Sequence, residues 1–176
     1  MTFPREAQLV ELVDHSGVAC GQSTVEGAHR APGLMHRAFS VLLRDPAGRL
    51  LLQRRAAAKT RFPLRWANAC CGHPAPGQPL LTAAVQRLDD ELTVTGVDLV
   101  ELGVHVYHAA DPATGRVERE WDHVLLGQIG SDLPVHPDPA EVEAVRWVSP
   151  TELQAELAAR PEAFAPWLSG VMAQLS

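Results

Sequence analysis

One stretch constrains the fold more than any other. PLLTAAVQRLDDEL, residues 79–92, spaces Leu81, Ala84, Val85, Leu88 and Leu92 at helical intervals, which predicts an amphipathic helix set among segments patterned as strands. Residues 7–13 read as a strand ending in the turn DHSG, and 35–44 with 49–55 as a hairpin across DPAG. Two longer β segments, 97–108 and 116–129, flank DPATG, and a further strand covers 142–148. SPTE then starts a helix, with Ser149 as N-cap, Pro150 at the first position and Glu152 placed to close a capping box. PEAFAPWLSGVMAQL, residues 161–175, predicts the last helix. The expected class is α/β (α+β), a mixed β-sheet sandwich flanked by helices, with one helix internal to the strands. At 176 residues, with no repeat and no linker, the chain suits a single domain over 1–176.

The segment before that helix, NACCGHPAPG, sets Cys70 beside Cys71 and His73 between a glycine and a proline in a stiff loop. Three cysteines without framework spacing, two of them adjacent, argue for reduced thiols. In an extended loop the two neighbours point to opposite sides, so Cys71 and His73 share one side and Cys70 takes the other. A net charge of −6 argues against broad binding to nucleic acid or an anionic membrane, which need a positive field. The opening MTFPREAQLVELVD has acidic residues where a signal peptide would be apolar, and no stretch reaches membrane-span length, so the expected location is the cytoplasm.

Polar residues cluster in two groups. His29, His36 and His73, with Glu118 and Glu120 two apart on one strand face, compose a donor set for a divalent metal such as zinc or manganese. Periodicity alone leaves Glu118-Arg119-Glu120 equally readable as the solvated face of an edge strand. QRRAAAKTRFPLR concentrates Arg54, Arg55, Lys59, Arg61 and Arg65 in an acidic protein, which suits a phosphate or diphosphate ligand or else a solvated loop. Arg87 and Glu91, four apart on the helix, suit either a surface ion pair or a Mg²⁺–diphosphate contact.

The order AH(x6)H, FS, RR(x3)K, W-A-N-x-C-C-G-H-P, Y-H-A-x-D-P, E-R-E-W-D-H and F-A-P-W resembles type I isopentenyl diphosphate isomerase, a branch of the Nudix superfamily, from about residue 29 to 167. The resemblance implies a Nudix-like fold and interconversion of isopentenyl and dimethylallyl diphosphate by a 1,3 proton shift. It implies Cys71 and Glu120 as the two proton-handling groups, Tyr107 as a hydrogen-bonding assistant and Trp167 as a π face for the developing cation. It also implies one metal, Mn²⁺ or Zn²⁺, on His29, His36, His73, Glu118 and Glu120. A Mg²⁺ would sit between Glu91, the Cys71 carbonyl and the substrate diphosphate, with Arg55, Lys59 and Arg87 holding that diphosphate. The expected partner is a small isoprenoid diphosphate, with monomer and homodimer both open.

The chain departs from the family pattern in three places. Ala83, Gln86, Arg87, Asp90 and Thr93 replace the usual residues of the Nudix box, and Glu91 alone survives, which favours isomerisation over diphosphate hydrolysis. Ala67 replaces the usual threonine before Asn68. TVEGAH lacks the lysine that many of these isomerases carry just before the first histidine, as a one-residue gap would produce. The alternatives are a Nudix diphosphate hydrolase and a zinc-binding interaction module built on Cys20, Cys70, Cys71 and His73.

Overall fold

The computed structural model describes residues 4–176 and contains the internal helix as α2, Leu80–Leu92. Its buried stripe runs through Ala83, Ala84, Leu88 and Leu92, whereas Leu81, expected on that face, is 46% exposed. The other elements are β1 (Leu9–Val13), β2 (Ala19–Thr24), α1 (Val25–Ala28), β3 (His36–Arg44), β4 (Leu50–Arg55), β5 (Trp66–Ala67), β6 (Cys70–Gly72), β7 (Leu99–Ala110), β8 (Val117–Gln128), β9 (Val142–Val148), α3 (Pro150–Ala159) and α4 (Leu168–Ala173). The mixed sheet and flanking helices are those expected.

Strand β3 organises the sheet. Along its whole length it runs parallel to β8, from His36 opposite Glu120 to Arg44 opposite Gln128. Its other edge takes β6, with Ser40 opposite Cys71. A strand held on both edges between helical layers is buried on both faces, and β3 is buried from Ala38 to Leu43. Phe39, Val41 and Leu43 pack with Leu88 and Leu92 of α2, while Leu42 packs on the opposite side with Leu153 of α3, Trp167 and Leu168 of α4. Leu42 and Leu43 are fully buried, each worth about 1.5–3 kcal/mol relative to exposure.

Local signals that needed no distant partner came out as read. Strand β9 covers the expected residues, β7 and β8 form the expected antiparallel pair, and Ser149 and Glu152 close the capping box. The 35–44/49–55 hairpin needs correcting: β3 and β4 pair only at Arg44 and Leu50, and β4 then runs along β9. The last helix is also shorter than expected. Residues 161–163 form a 3-10 turn, Phe164 bridges to Trp66, and only Leu168–Ala173 is α-helical. Pro166 explains the break, because a proline disfavours helical backbone at the residue before it. β2 and α1 had no sequence signal strong enough to name, and residues 70–72 of the stiff loop are a short strand.

Thr93, standing where the family usually has glycine, closes α2 with φ 54°. That left-handed backbone costs an L-residue about 1–2 kcal/mol. The Thr93 hydroxyl partly offsets it by donating to the His136 carbonyl at 3.1 Å. Among the described residues no helix is long and apolar enough to cross a membrane.

Candidate active site

The three histidines reach one point from three different elements. His36 opens β3, His29 caps the C-terminus of α1, and His73 follows β6. Their rings lie 4.6–5.1 Å apart between centroids. Glu118 and Glu120 meet them from one face of β8, so the edge-strand reading of this pair fails: β8 lies between β3 and β7, and both side chains are buried. All five ligand atoms lie within 4.8 Å of one another, the one such group among the described residues.

The second nitrogen of each ring decides what the first can do. His29 Nδ1 donates to the Val25 carbonyl at 2.7 Å, and His36 Nδ1 to the Leu34 carbonyl at 2.7 Å, which turns both Nε2 atoms inward. His36 Nε2 is buried without a hydrogen-bond partner, an unusual expense for a fully enclosed imidazole. Glu120 Oε1 sits 2.9 Å from His73 Nε2 and 3.4 Å from His36 Nε2, and His29 Nε2 is 2.9 Å from Glu118 Oε2. Three nitrogens and two carboxylates converging around an orphaned lone pair fit a divalent metal.

Protonation follows the same geometry. Burial works against the His29 cation, but the hydrogen bond and charge of Glu118 outweigh it and raise His29 to about 9. His73 is pushed by burial down to about 4, against the pull of Glu120. Burial would raise Glu120, yet the three histidines hold its carboxyl well below the usual range. Arg61 donates to Glu118 at 3.1 Å and to Glu6 at 2.9 Å, so this member of the basic cluster serves the carboxylates.

Glu120 has a second contact. Its Oε2 accepts the Tyr107 hydroxyl at 2.7 Å, because register places Tyr107 of β7 directly opposite Glu120 of β8, itself opposite His36 of β3. The cysteines divide as expected. Cys70 enters the core beneath α2, and Cys71 turns to the other side, where its Sγ lies 3.5 Å from Ser40 Oγ and 3.3 Å from Asn68 Nδ2. Burial, with the Asp122 carboxyl beyond Ser40, pushes the Cys71 thiol up to about 12, against Ser40, Arg55 and Asn68. Cys71 is therefore a thiol, not a thiolate, near neutral pH. Asn68 also accepts the Trp167 indole N–H at 3.1 Å, so one amide locates the thiol and the aromatic wall together. Asn68 and Ser40 lie in the motifs W-A-N and F-S, yet their sequence setting carried no role for them.

Cys71, His73, Tyr107, Glu118, Glu120 and Trp167 line one cleft of about 990 Å³ with Arg55, Lys59, Arg61 and Arg87. Arg55 donates to the carbonyls of Arg61 and Phe62, and its guanidinium lies 5.4 Å from the Trp167 ring. Arg87 donates through Nε to the Cys71 carbonyl at 3.2 Å and ion-pairs with Glu91, so the two oxygens implied for Mg²⁺ already converge on one cation. Gln53 anchors Glu91 from beneath at 2.9 Å. Arg54 instead pairs with Glu143, and neither it nor Arg65 lines the cleft. Glu141, which carried no sequence signal, pairs with both Lys59 and Arg87. The zinc-module alternative fails on position, since Cys20 is exposed on β2 and Cys70 faces the core away from His73. In TVEGAH, where the family's lysine is missing, α1 is continuous over Val25–Ala28, Val25 faces the cleft and its carbonyl holds His29.

The sheet, internal helix and metal-fitting cleft define a Nudix-type protein, and residues 34–168 match the NUDIX domain family. Among solved structures, DR0079 from Deinococcus radiodurans superposes with a TM-score of 0.76 at 21% identity, over 96% of this chain and 100% of that one, a likeness of fold. The isopentenyl-diphosphate Delta-isomerase of Nocardia farcinica is 61% identical over 163 residues, covering 93% of this chain and 91% of that protein. Its namesake from Streptomyces coelicolor is 44% identical over 167 residues, covering 95% and 83%. The chain belongs to the isopentenyl-diphosphate Delta-isomerase family, within the Nudix class.

Proposed function

We propose that this chain, acting as one domain over residues 1–176 in the cytoplasm, interconverts isopentenyl and dimethylallyl diphosphate. The observation that carries the reading is Glu120, bound at one oxygen among three histidines and at the other to Tyr107, in the same cleft as the Cys71 thiol. Adding a proton to the terminal alkene carbon makes a methyl group and leaves positive charge on the tertiary carbon. Removing a proton from the neighbouring methylene restores the double bond. Such a shift needs one group that carries a proton and one that is anionic, held in a site closed to water. The elevated Cys71 thiol and the depressed Glu120 carboxyl meet that requirement, and because the reaction is reversible each gives a proton in one direction and takes one in the other. Tyr107, itself held protonated by burial and by Glu120, remains the donor to Glu120. Trp167 lines the cleft with an aromatic face, worth about 0.5–2 kcal/mol to a nearby cation.

His29, His36, His73, Glu118 and Glu120 would hold Zn²⁺ or Mn²⁺, displacing the proton from His29, and Glu91 with the Cys71 carbonyl would hold Mg²⁺. The metal at the histidines would orient Glu120 and set its acidity. Arg55, Lys59 and Arg87 would grip the diphosphate.

Isopentenyl diphosphate incubated with the protein and Mg²⁺ in deuterated water is expected to yield both isomers carrying deuterium by NMR. Release of inorganic phosphate or diphosphate without exchange would replace the isomerase reading by hydrolysis. Ala83 and Gln86, lining the cleft on α2, offer no carboxylate for gathering hydrolytic metals. Glu91→Gln is expected to shift the Mg²⁺ requirement to higher concentration while transition-metal content stays at the wild-type level. Unchanged Mg²⁺ dependence would remove Glu91 from the diphosphate site.

A further inference from the structure

Two carboxylates organise the basic end of the cleft. Glu91 Oε1 faces Lys59 at 3.6 Å, Arg87, and also Arg5 at 3.6 Å. Glu141 repeats the arrangement, pairing with Lys59 and Arg87 and, through its other oxygen, with Arg5 Nε at 3.1 Å. Arg5 comes from a 3-10 turn, Arg5–Ala7, far in sequence from the other two cations. It lines the same cleft and keeps 37% of its side chain exposed. Arg61 and Arg55 are less free: Arg61 is committed to Glu118 and Glu6, and Arg55 to backbone carbonyls. On the α1 side the cleft is lined by Val25, which is apolar and buried against Val10 and Ala28.

We infer that Arg5 is a substrate-binding residue, closing the basic end of the diphosphate site together with Lys59 and Arg87. An anion that three cations already surround is what Glu141 supplies in this structure, and a diphosphate oxygen satisfies the same donors with more charge. Arginine suits the position because its fork can keep Glu141 on one edge and offer its remaining N–H groups to a phosphate. The next turn residue, Glu6, holds Arg61 at 2.9 Å, so the turn is tied to the cleft on two sides and presents Arg5 in a defined place. The inference rests on the reading of this cleft as a diphosphate site.

Its test measures binding apart from turnover, by titrating inorganic diphosphate with Mg²⁺ into the full-length protein calorimetrically and recording isomerase kinetics beside it. Arg5→Gln is expected to weaken diphosphate binding roughly 10-fold, the order of one charge-assisted hydrogen bond, and to raise KM more than it lowers kcat. Arg5→Lys should recover part of the affinity. Arg160→Gln, which removes the same charge from an exposed side chain outside the cleft, should bind as wild type. An Arg5→Gln protein that melts earlier yet binds diphosphate with wild-type affinity would mean that Arg5 only pins the turn. If the wild-type protein itself captures no diphosphate, the inference falls together with the reading of the cleft.

Discussion

Cys71→Ala is expected to turn over isopentenyl diphosphate at least about 10² to 10⁴ times more slowly than wild type, the usual contribution of a positioned acid or base. Its fold should persist, because Cys71 is only partly buried and Asn68 keeps its contacts with Trp167 and the Val41 and Cys70 carbonyls. Cys70→Ala should do the reverse. That side chain is fully enclosed beneath α2, so its loss costs stability through a small cavity and leaves the proton-handling groups in place. An epoxide analogue of isopentenyl diphosphate separates the two sulfurs directly. It is expected to alkylate Cys71 and spare Cys70, whereas a small alkylator without a diphosphate should label Cys71 slowly, since burial keeps its thiol protonated to about 12. Label found mainly on Cys70 in a peptide map, or normal turnover by Cys71→Ala, would put the chemistry on another group.

The second large effect belongs to the histidine site. His73→Ala removes the nitrogen closest to Glu120 Oε1 and opens a gap where five ligand atoms meet. Purified wild-type protein is expected to carry about one tightly held transition metal per chain, and His73→Ala to lose it. Activity should fall by more than the roughly 10- to 100-fold that outer partners of a metal cost, because a direct ligand is gone. Elemental analysis of the two proteins decides it. A wild-type enzyme free of transition metal and fully active would leave the five residues with a structural role alone. Chelation should also lower the melting temperature of the wild type, since a metal bound only to the folded state stabilises it by mass action.

What the linear sequence disclosed was governed by short range. The helical spacing at 84, 88 and 92, the capping box at Ser149 and the strand at 142–148 depend on neighbours within a turn or two, and all three are in the structure. The alternation that sends Cys70 one way and Cys71 the other is equally local. The motifs also brought most of the candidate site residues together: His73, Glu118, Glu120, Arg55, Lys59, Arg61 and Arg87 line the cleft, and His29, His36 and Glu91 each meet a residue that does, whereas Arg54 and Arg65 lie outside its lining.

Long-range pairing decided the rest. DPAG makes a turn, but whether the strands on either side continue as a hairpin depends on what else competes for their edges, and β6 takes that edge of β3 while β5 takes that edge of β4. The same pairing turns residues scattered from 29 to 120 into one site, by setting His36 opposite Glu120 and Glu120 opposite Tyr107. Spacing along the chain cannot encode this, because register between distant strands is set by which faces they bury together. Arg5 and Glu141, which share no motif and lie 136 positions apart, meet at 3.1 Å only because the fold brings both to the basic end of the cleft. Sequence alone determined the candidate residues and several of the local elements, among them α2, β9 and the start of α3. Tertiary structure alone decided which of them touch, because contact between distant residues is a property of strand register and packing.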